Sequence, residues 1–307
     1  MEKLRVGLLV GREKSLVSAL LQEITSNYPH VDVGIARLGA VELGEDCRYS
    51  VIVDRLSHVV PFYKAYLKHA LVSGVYVINN PFVSSSDDKF HQVSLAHKLG
   101  LLTPKTVLLP NHYFLENYSP SRELVSHPLP VDWYEVAEEV GLPCILKDAE
   151  KGEWSELHIC HSVDELMENY RHTSTRTVMV QELIDWDLFV RCLVIGEEVI
   201  PMYFDFQKKR YLPGSQGIPN ELEESIMSDS SKIVKELGYD INLVEWAVYE
   251  DKAFLIDCFN PIPDIDPDAM EESDFKWAIK ALAELLNQLT IKIANGEVIY
   301  RNPKLGS

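Results

Sequence analysis

The chain is short of positive charge. Lys and Arg together number 29 against 47 Asp and Glu, for a formal net charge of −18. Such a surface repels phosphate backbones, which excludes nucleic acid and anionic membrane as general partners. Cysteine pairs are also missing. Cys47, Cys144, Cys160, Cys192 and Cys258 are odd in number and scattered, with no Cys-x-x-Cys. That pattern offers no disulfide framework and fits a reducing, cytoplasmic setting. The N-terminal MEKLRVGLLVGREK is too short and too interrupted for a signal peptide or a membrane span. Gly7 and Gly11 stand alone, without the Gly-x-Gly-x-x-Gly of dinucleotide sites. His158-x-Cys160-His161 has no distant partner pair to complete a zinc site. No Ser/His or Cys/His constellation is evident, and there is no internal repeat.

What is present is an ordinary globular composition. The 307 residues are 46% apolar and 25% charged, enough for two or three subdomains with a sizeable core. The first 80 or so residues alternate strand and helix patterns. LRVGLLVG, VDVGIARL, YSVIVDRL and VYVINNP read as strands, with SLVSALLQEI and FYKAYLKHALVSG as helices between them. This alternation predicts a parallel α/β domain. Ser and Asp capping signals then open a helix in SSSDDKFHQVSLAHKLG, and TPKTVLLP reads as a short strand. After a Pro- and Ser-rich stretch comes a block of helix, strand, strand, helix and strand, from VDWYEVAEEVG to TVMVQELI. It predicts a small α+β lid, with EKGEW as the turn between PCILKDA and SELHICHS.

The last third predicts an antiparallel sheet with helices. LFVRCLVIGEEVIPMYFDF reads as two strands turning near Gly196, and KKRYLPGSQGIPN as a polar loop. NELEESIMSDSSKIVKELG reads as a helix with an Asn220/Glu223 capping box and a Gly238 stop. NLVEWAVYEDKAFLIDCFNP reads as a hairpin turning at Glu250-Asp251, and FKWAIKALAELLNQLTIKIANG as a long amphipathic helix. Two placements of charge stand out. Arg191 interrupts the apolar strand FVRCLVIG, and Asp257 ends the apolar run AFLID ahead of Asn260. Buried charges of this kind need a partner or a ligand.

Taken in order, these features resemble the ATP-grasp enzymes over residues 79–296. Asn80-Pro81 and Asp88-Lys89 precede a helix, followed by Gly100-x-x-x-Pro104-x-Thr106. Then come a strand lysine, Lys147, the run Gln181-Glu182-Leu183-Ile184, a strand arginine, Arg191, and a final carboxylate with an acid/Asn pair. The resemblance implies an ATP-grasp fold of three parts: an N-terminal α/β domain (1–84), a linker helix and central lid (85–184), and a C-terminal antiparallel-sheet subdomain (185–307). It implies that Lys89 and Lys147 neutralise ATP phosphates, and that residues 181–184 contact the adenine edge. Asp187 would accept from the ribose hydroxyls. Arg191 would act with Lys147 at the reacting phosphoryl group. Glu245 and Asp257, brought opposite each other by the hairpin turn, would hold Mg²⁺ with Asn260, because two close carboxylates repel unless a cation lies between them.

The implied activity is an ATP-dependent carboxylate–amine ligase acting through an acyl phosphate, in the style of glutathione synthetase and the ribosomal-protein glutamate ligases. Its partners would be a small-molecule acid and an amine, and a homodimer is a common arrangement of such enzymes. An inositol-phosphate-type kinase on the same fold and a degenerate, non-catalytic ATP-binding protein are the alternatives. Two departures bear on the choice. The lid turn Glu150–Ser155 has one glycine where the family is glycine-rich. The spacing Asp257-Cys258-Phe259-Asn260 has one residue more than acid-x-Asn, which demands a bulge or bend. Lys208-Lys209-Arg210 is a loop run that could reach an anionic substrate. Arg55 and His58 read as loop-surface residues with a possible substrate contact.

Overall fold

Four short strands, three of them largely apolar, begin the fold. In the computed structural model, which describes residues 4–113, 130–150, 157–214, 216–258 and 260–297, they are β1 (Arg5–Leu9), β2 (Asp32–Ile35), β3 (Val51–Asp54) and β4 (Tyr76–Ile78). They form a parallel sheet in the order β2-β1-β3-β4. In the two central strands the adjacent residues Leu8 and Leu9, and Ile52 and Val53, are buried, as strands covered on both faces must be. At Gly7 a Cβ would meet the Tyr49 ring at 2.8 Å, so only glycine fits there. The crossover helices are α1 (Lys14–Asn27) and α2 (Pro61–Val72). α1 buries Leu16, Leu20 and Ile24, one stripe at i, i+4 and i+8.

Chain contacts divide the molecule into two compact units. Residues 1–86, 190–244 and 260–307 form the first, and residues 87–189 and 245–259 the second. The first unit contains the parallel sheet, the short helix α3 (Pro81–Ser86), and most of β9 (Leu188–Ile195). It also has β10 (Glu198–Asp205), β11 (Arg210–Leu212), α7 (Asn220–Leu237) and α8 (Glu272–Ala294). α8 buries Ala278, Ile279, Leu282, Leu286 and Leu289, and these join Val6, Leu8, Leu16 and Leu20 in one core. β11 lies inside the stretch that reads as loop from sequence; its Tyr211 pairs with Phe204 of β10. The capping box at α7 is not formed. Asn220 is already helical, Pro219 is the N-cap, and the Glu223 carboxylate accepts a hydrogen bond from Tyr203 instead. Gly238 closes α7 at φ +81°, as expected.

The second unit contains α4 (Lys89–Lys98), α5 (Trp133–Val140), α6 (Val163–Arg171) and an antiparallel sheet. Its strands are β5 (Thr106–Leu109), β6 (Cys144–Asp148), β7 (His158–Cys160) and β8 (Val178–Glu182), in the order β5-β8-β6-β7. Asp88, Asp132 and Ser162 cap the three helices through their side chains. Between α5 and the sheet, Val136, Val140, Leu146, Leu166 and Val180 make a separate core. The turn expected at EKGEW lies, beyond Glu150, outside the described residues. β12 (Ile241–Tyr249) and β13 (Lys252–Asp257) complete a five-stranded sheet, β11-β10-β9-β12-β13. β9 and β12 each run from one unit into the other. No helix among the described residues is long and apolar enough to cross a membrane.

Candidate active site

The β12–β13 hairpin sets the geometry. Tyr249 pairs with Lys252, and Glu250 and Asp251 form the two-residue turn with φ +48° and +56°. Counting back regularly from Trp246↔Leu255 would place Ile256 opposite Glu245. The register shifts there, and Asp257 is the partner of Glu245. The turn alone therefore does not bring the two acids together, as the sequence suggests; a β-bulge at Ile256 does. A bulge re-aims side chains in this way beside functional sites. The separate bend expected between Asp257 and Asn260 involves Phe259, which lies outside the described residues. Further along, the N–H of Leu243 donates to the Asn260 carbonyl (3.0 Å) and the N–H of Asn260 donates to Asn242 Oδ1 (3.1 Å), within the first unit.

Two ammonium groups meet this pair within the second unit. Lys89 opens α4, with its main-chain N–H on the Ala149 carbonyl, and its Nζ lies 3.0 Å from Asp257 Oδ2. One turn on, Gln92 accepts from the Cys258 thiol at 3.2 Å, and burial pushes that thiol's pKa up and keeps it protonated. One face of α4 thus holds two successive residues of the β13 end. Lys147 Nζ lies 3.5 Å from the Ile256 carbonyl. Lys89, Lys147 and Glu245 are only 6%, 8% and 7% exposed. Burial pulls the Lys147 pKa from 10.5 down to about 8; Asp257 and Glu245 oppose the shift and Lys89 adds to it. Four charged groups that sum to zero are therefore gathered in one dry place.

The donor set fits a hard divalent cation. Two register-paired carboxylates present oxygen ligands and carry a charge that already attracts an ammonium. No group of three or more His, Cys, Asp or Glu suited to a metal occurs among the described residues. Remaining ligands would have to be amide, phosphate or water oxygens.

The remaining candidates fall in several places. The Gln181 carboxamide is 1% exposed and donates to Thr106 Oγ1 at 3.0 Å, so its side chain serves the lid sheet. The Glu182 carboxylate accepts from the Lys105 main chain at 3.1 Å. Leu183 is partly exposed and Ile184 buried, directly after β8. Asp187 is exposed; its N–H donates to the Val248 carbonyl and its carboxylate accepts from the Glu250 N–H. In the first unit, Arg191 lies opposite Met202 with its guanidinium carbon 3.9 Å from the Phe204 ring centroid. Lys208 is tied to Asp205 at 3.0 Å, while Lys209 and Arg210 are exposed. Arg55 is not on the surface: it is buried, donating to Glu13 Oε1 at 2.5 Å and to the Pro263 carbonyl at 2.6 Å. His58 is exposed. Cys160 faces Cys144 across β6–β7, while His158 is exposed.

No family model matches the chain. The D-alanine–D-alanine ligase of Fervidobacterium nodosum is 24% identical over 214 residues, which are 64% of this chain and 61% of that protein. The match thus spans less than two thirds of that relative. Among solved structures, D-alanine–D-alanine ligase from Bacillus anthracis complexed with ATP superposes with a TM-score of 0.62 at 15% identity, over 96% of this chain and 100% of that one. The ATP-grasp ligase PsnB complexed with minimal precursor, Mg and ADP gives 0.62 at 16% identity, over 93% and 98%. The likeness shows the fold: this chain has the fold of the ATP-grasp ligases.

Proposed function

We propose that the chain is an ATP-dependent carboxylate–amine ligase that forms an amide through an acyl phosphate. The carrying observation is the buried cluster of Lys89, Lys147, Glu245 and Asp257, built by the bulge at Ile256. ATP-bound and ADP-bound neighbours of the same fold support nucleotide as the ligand. The division into an N-terminal domain, a lid and a C-terminal subdomain belongs to this reading.

In this reading Glu245 and Asp257, with Asn260, hold Mg²⁺, which supplies charge neutralisation for the ATP phosphates. A metal held there would take the place of the Lys89 ammonium at Asp257, and Lys89 would then offer its charge to phosphate. Lys147, whose pKa is lowered chiefly by burial, would have its charged form favoured by phosphate oxygens beside it. The main chain at Glu182, Leu183 and Ile184 meets the adenine edge, because the side chains of Gln181 and Glu182 already have partners in the lid. The exposed Asp187 carboxylate receives the ribose. Arg191 orients the substrate carboxylate by paired N–H donors and steadies the charge on the phosphoryl group being transferred. An amine then attacks the acyl carbon, the C–N bond forms and inorganic phosphate leaves.

Titration calorimetry with Mg-ATP on wild type and Asp257→Asn tests the nucleotide site. The expected result is metal-dependent binding that the substitution weakens at least tenfold. Metal-independent binding unchanged in Asp257→Asn would sink the reading. A screen of paired amino acids for ADP and phosphate release tests the reaction. Phosphorylated product without free phosphate would indicate a kinase instead.

A further inference from the structure

β13 ends the five-stranded sheet, so its ladder partner is β12 alone. The bulge at Ile256 interrupts that single ladder just before Asp257. A slip of one residue there would turn the Asp257 carboxylate to the other face, away from Glu245. Two side chains of α4 meet the strand end. Lys89 holds Asp257 by charge, and Gln92 Oε1 accepts from the Cys258 thiol at 3.2 Å. Gln92 is itself held: its Nε2 donates to Asp87 Oδ2 at 2.6 Å. Asp87 Oδ1 lies 2.8 Å from His91 Nδ1, and the Asp87 side chain is 2% exposed. Asp88 caps the same turn, accepting from the His91 N–H at 2.8 Å. Gln92 and Cys258 are buried as well. A carboxylate offers acceptors only, so Asp87 takes the NH₂ side of the carboxamide and leaves its oxygen to Cys258. The thiol is thereby the donor of its pair.

We propose that Gln92, held by Asp87, is a positioning residue for the metal site: it clamps Cys258 so that the neighbouring Asp257 stays opposite Glu245. The inference rests on the ligase reading, in which Asp257 and Glu245 carry Mg²⁺, and adds to it residues to which that reading gives no role. In that reading the metal takes the place of the Lys89 ammonium at Asp257, so the ion pair is broken once the site is loaded. The bond from Cys258 to Gln92 uses neither oxygen of Asp257 and outlasts the exchange. Burial of both groups keeps water from competing for it. The neutral chemistry of the clamp also matters. A lysine or arginine at position 92 would place a further positive charge near the carboxylates and oppose the cation. A carboxamide fixes the strand end and leaves the charge facing the metal unchanged.

The test uses the full chain with Gln92→Leu, Cys258→Ala and Cys258→Ser. In the first arm, main-chain hydrogen exchange over residues 255–258 is followed without nucleotide or metal. Gln92→Leu and Cys258→Ala should each speed exchange about fivefold, the equivalent of one neutral hydrogen bond. Cys258→Ser should restore the wild-type rate, since its hydroxyl also donates. In the second arm, calorimetry follows ATP binding over a series of Mg²⁺ concentrations. Gln92→Leu and Cys258→Ala should raise the Mg²⁺ midpoint about fivefold, with metal-free ATP binding kept within about twofold, and Cys258→Ser should bring the midpoint back. Gln92→Leu strands the Asp87 carboxylate. Where that variant does not fold, Cys258→Ala decides, because it leaves Asp87 and Gln92 paired. A Mg²⁺ midpoint in Cys258→Ala equal to that of wild type overturns the proposal, and so does Cys258→Ser behaving as Cys258→Ala does. Wild type that binds ATP without metal dependence refutes the ligase reading instead, and the exchange arm then decides by itself whether Gln92 holds the strand end.

Discussion

The ammonium of Lys89 lies 3.0 Å from Oδ2 of Asp257, in a site where both side chains are nearly excluded from solvent. The ion pair joins the first turn of α4 to the bulged end of β13. Removing one partner leaves the other charge buried alone, which costs about 3–5 kcal/mol. Asp257→Asn should therefore lower stability by about 3 kcal/mol in urea denaturation. The double variant Lys89→Met/Asp257→Asn should recover most of that loss, because neither charge is then stranded. Additive losses in the cycle would show that the two groups do not interact.

Lys147 gives a pH dependence of definite sign. Its folded pKa is about 8, below the ordinary 10.5, chiefly through burial. Below pH 8 the ammonium is charged in both folded and unfolded states, and its desolvation penalty is fully present. Between pH 8 and 10.5 the unfolded state binds more protons, so stability rises with pH. The rise should be about 3 kcal/mol. Lys147→Met should abolish it, as read from denaturation midpoints at a series of pH values. In Asp257→Asn, which loses a group that supports the charged form, the rise should begin at lower pH.

Much of this arrangement is legible in the sequence because it follows from periodicity. Alternating strands and helices, the Asp88 cap, the Gly238 stop and the Glu250-Asp251 turn all come from local residue chemistry. So does the suspicion attached to Asp257, a charge at the end of an apolar run. Other parts depend on tertiary partners that no local pattern specifies. The bulge at Ile256 is one: its residue types suit a regular strand equally well, and only the register across the hairpin reveals it. Gln181 is another, since its role is fixed by Thr106, 75 positions away. The Phe204 ring under Arg191 is a further case, since only the pairing of β9 with β10 brings the two together. The Asn220/Glu223 signature failed because Tyr203 claims the glutamate.

The hairpin turn offers a stabilising change. Glu250 and Asp251 both hold φ in the left-handed region, +48° and +56°, which costs about 1–2 kcal/mol for an ordinary L-residue. Asn-Gly is the pair that suits such a turn. Glu250→Asn/Asp251→Gly should raise stability by about 1–2 kcal/mol and the Tm by several degrees. The hydrogen bond from the Glu250 N–H to Asp187 uses the main chain and should survive. An unchanged or lowered Tm would show that the turn is not strained.

Asn79 ties the C-terminal end of the parallel sheet to both flanks of the hairpin root. Its Oδ1 accepts from the N–H groups of Asp240 (2.8 Å) and Ile241 (2.9 Å). Its Nδ2 donates to the carbonyls of Ile241 (2.8 Å) and Pro261 (2.7 Å). The side chain is buried, so truncation leaves several main-chain groups without a partner and admits no ready substitute. Asn79→Ala should cost about 3 kcal/mol or more, at about 1 kcal/mol or more for each buried group left unsatisfied. Asn79→Asp should cost at least as much, although it is nearly isosteric: its oxygen would face two carbonyl oxygens where an NH₂ now donates. Denaturation midpoints check both variants. An Asn79→Asp protein as stable as wild type would show that the carboxamide nitrogen does not carry this tie.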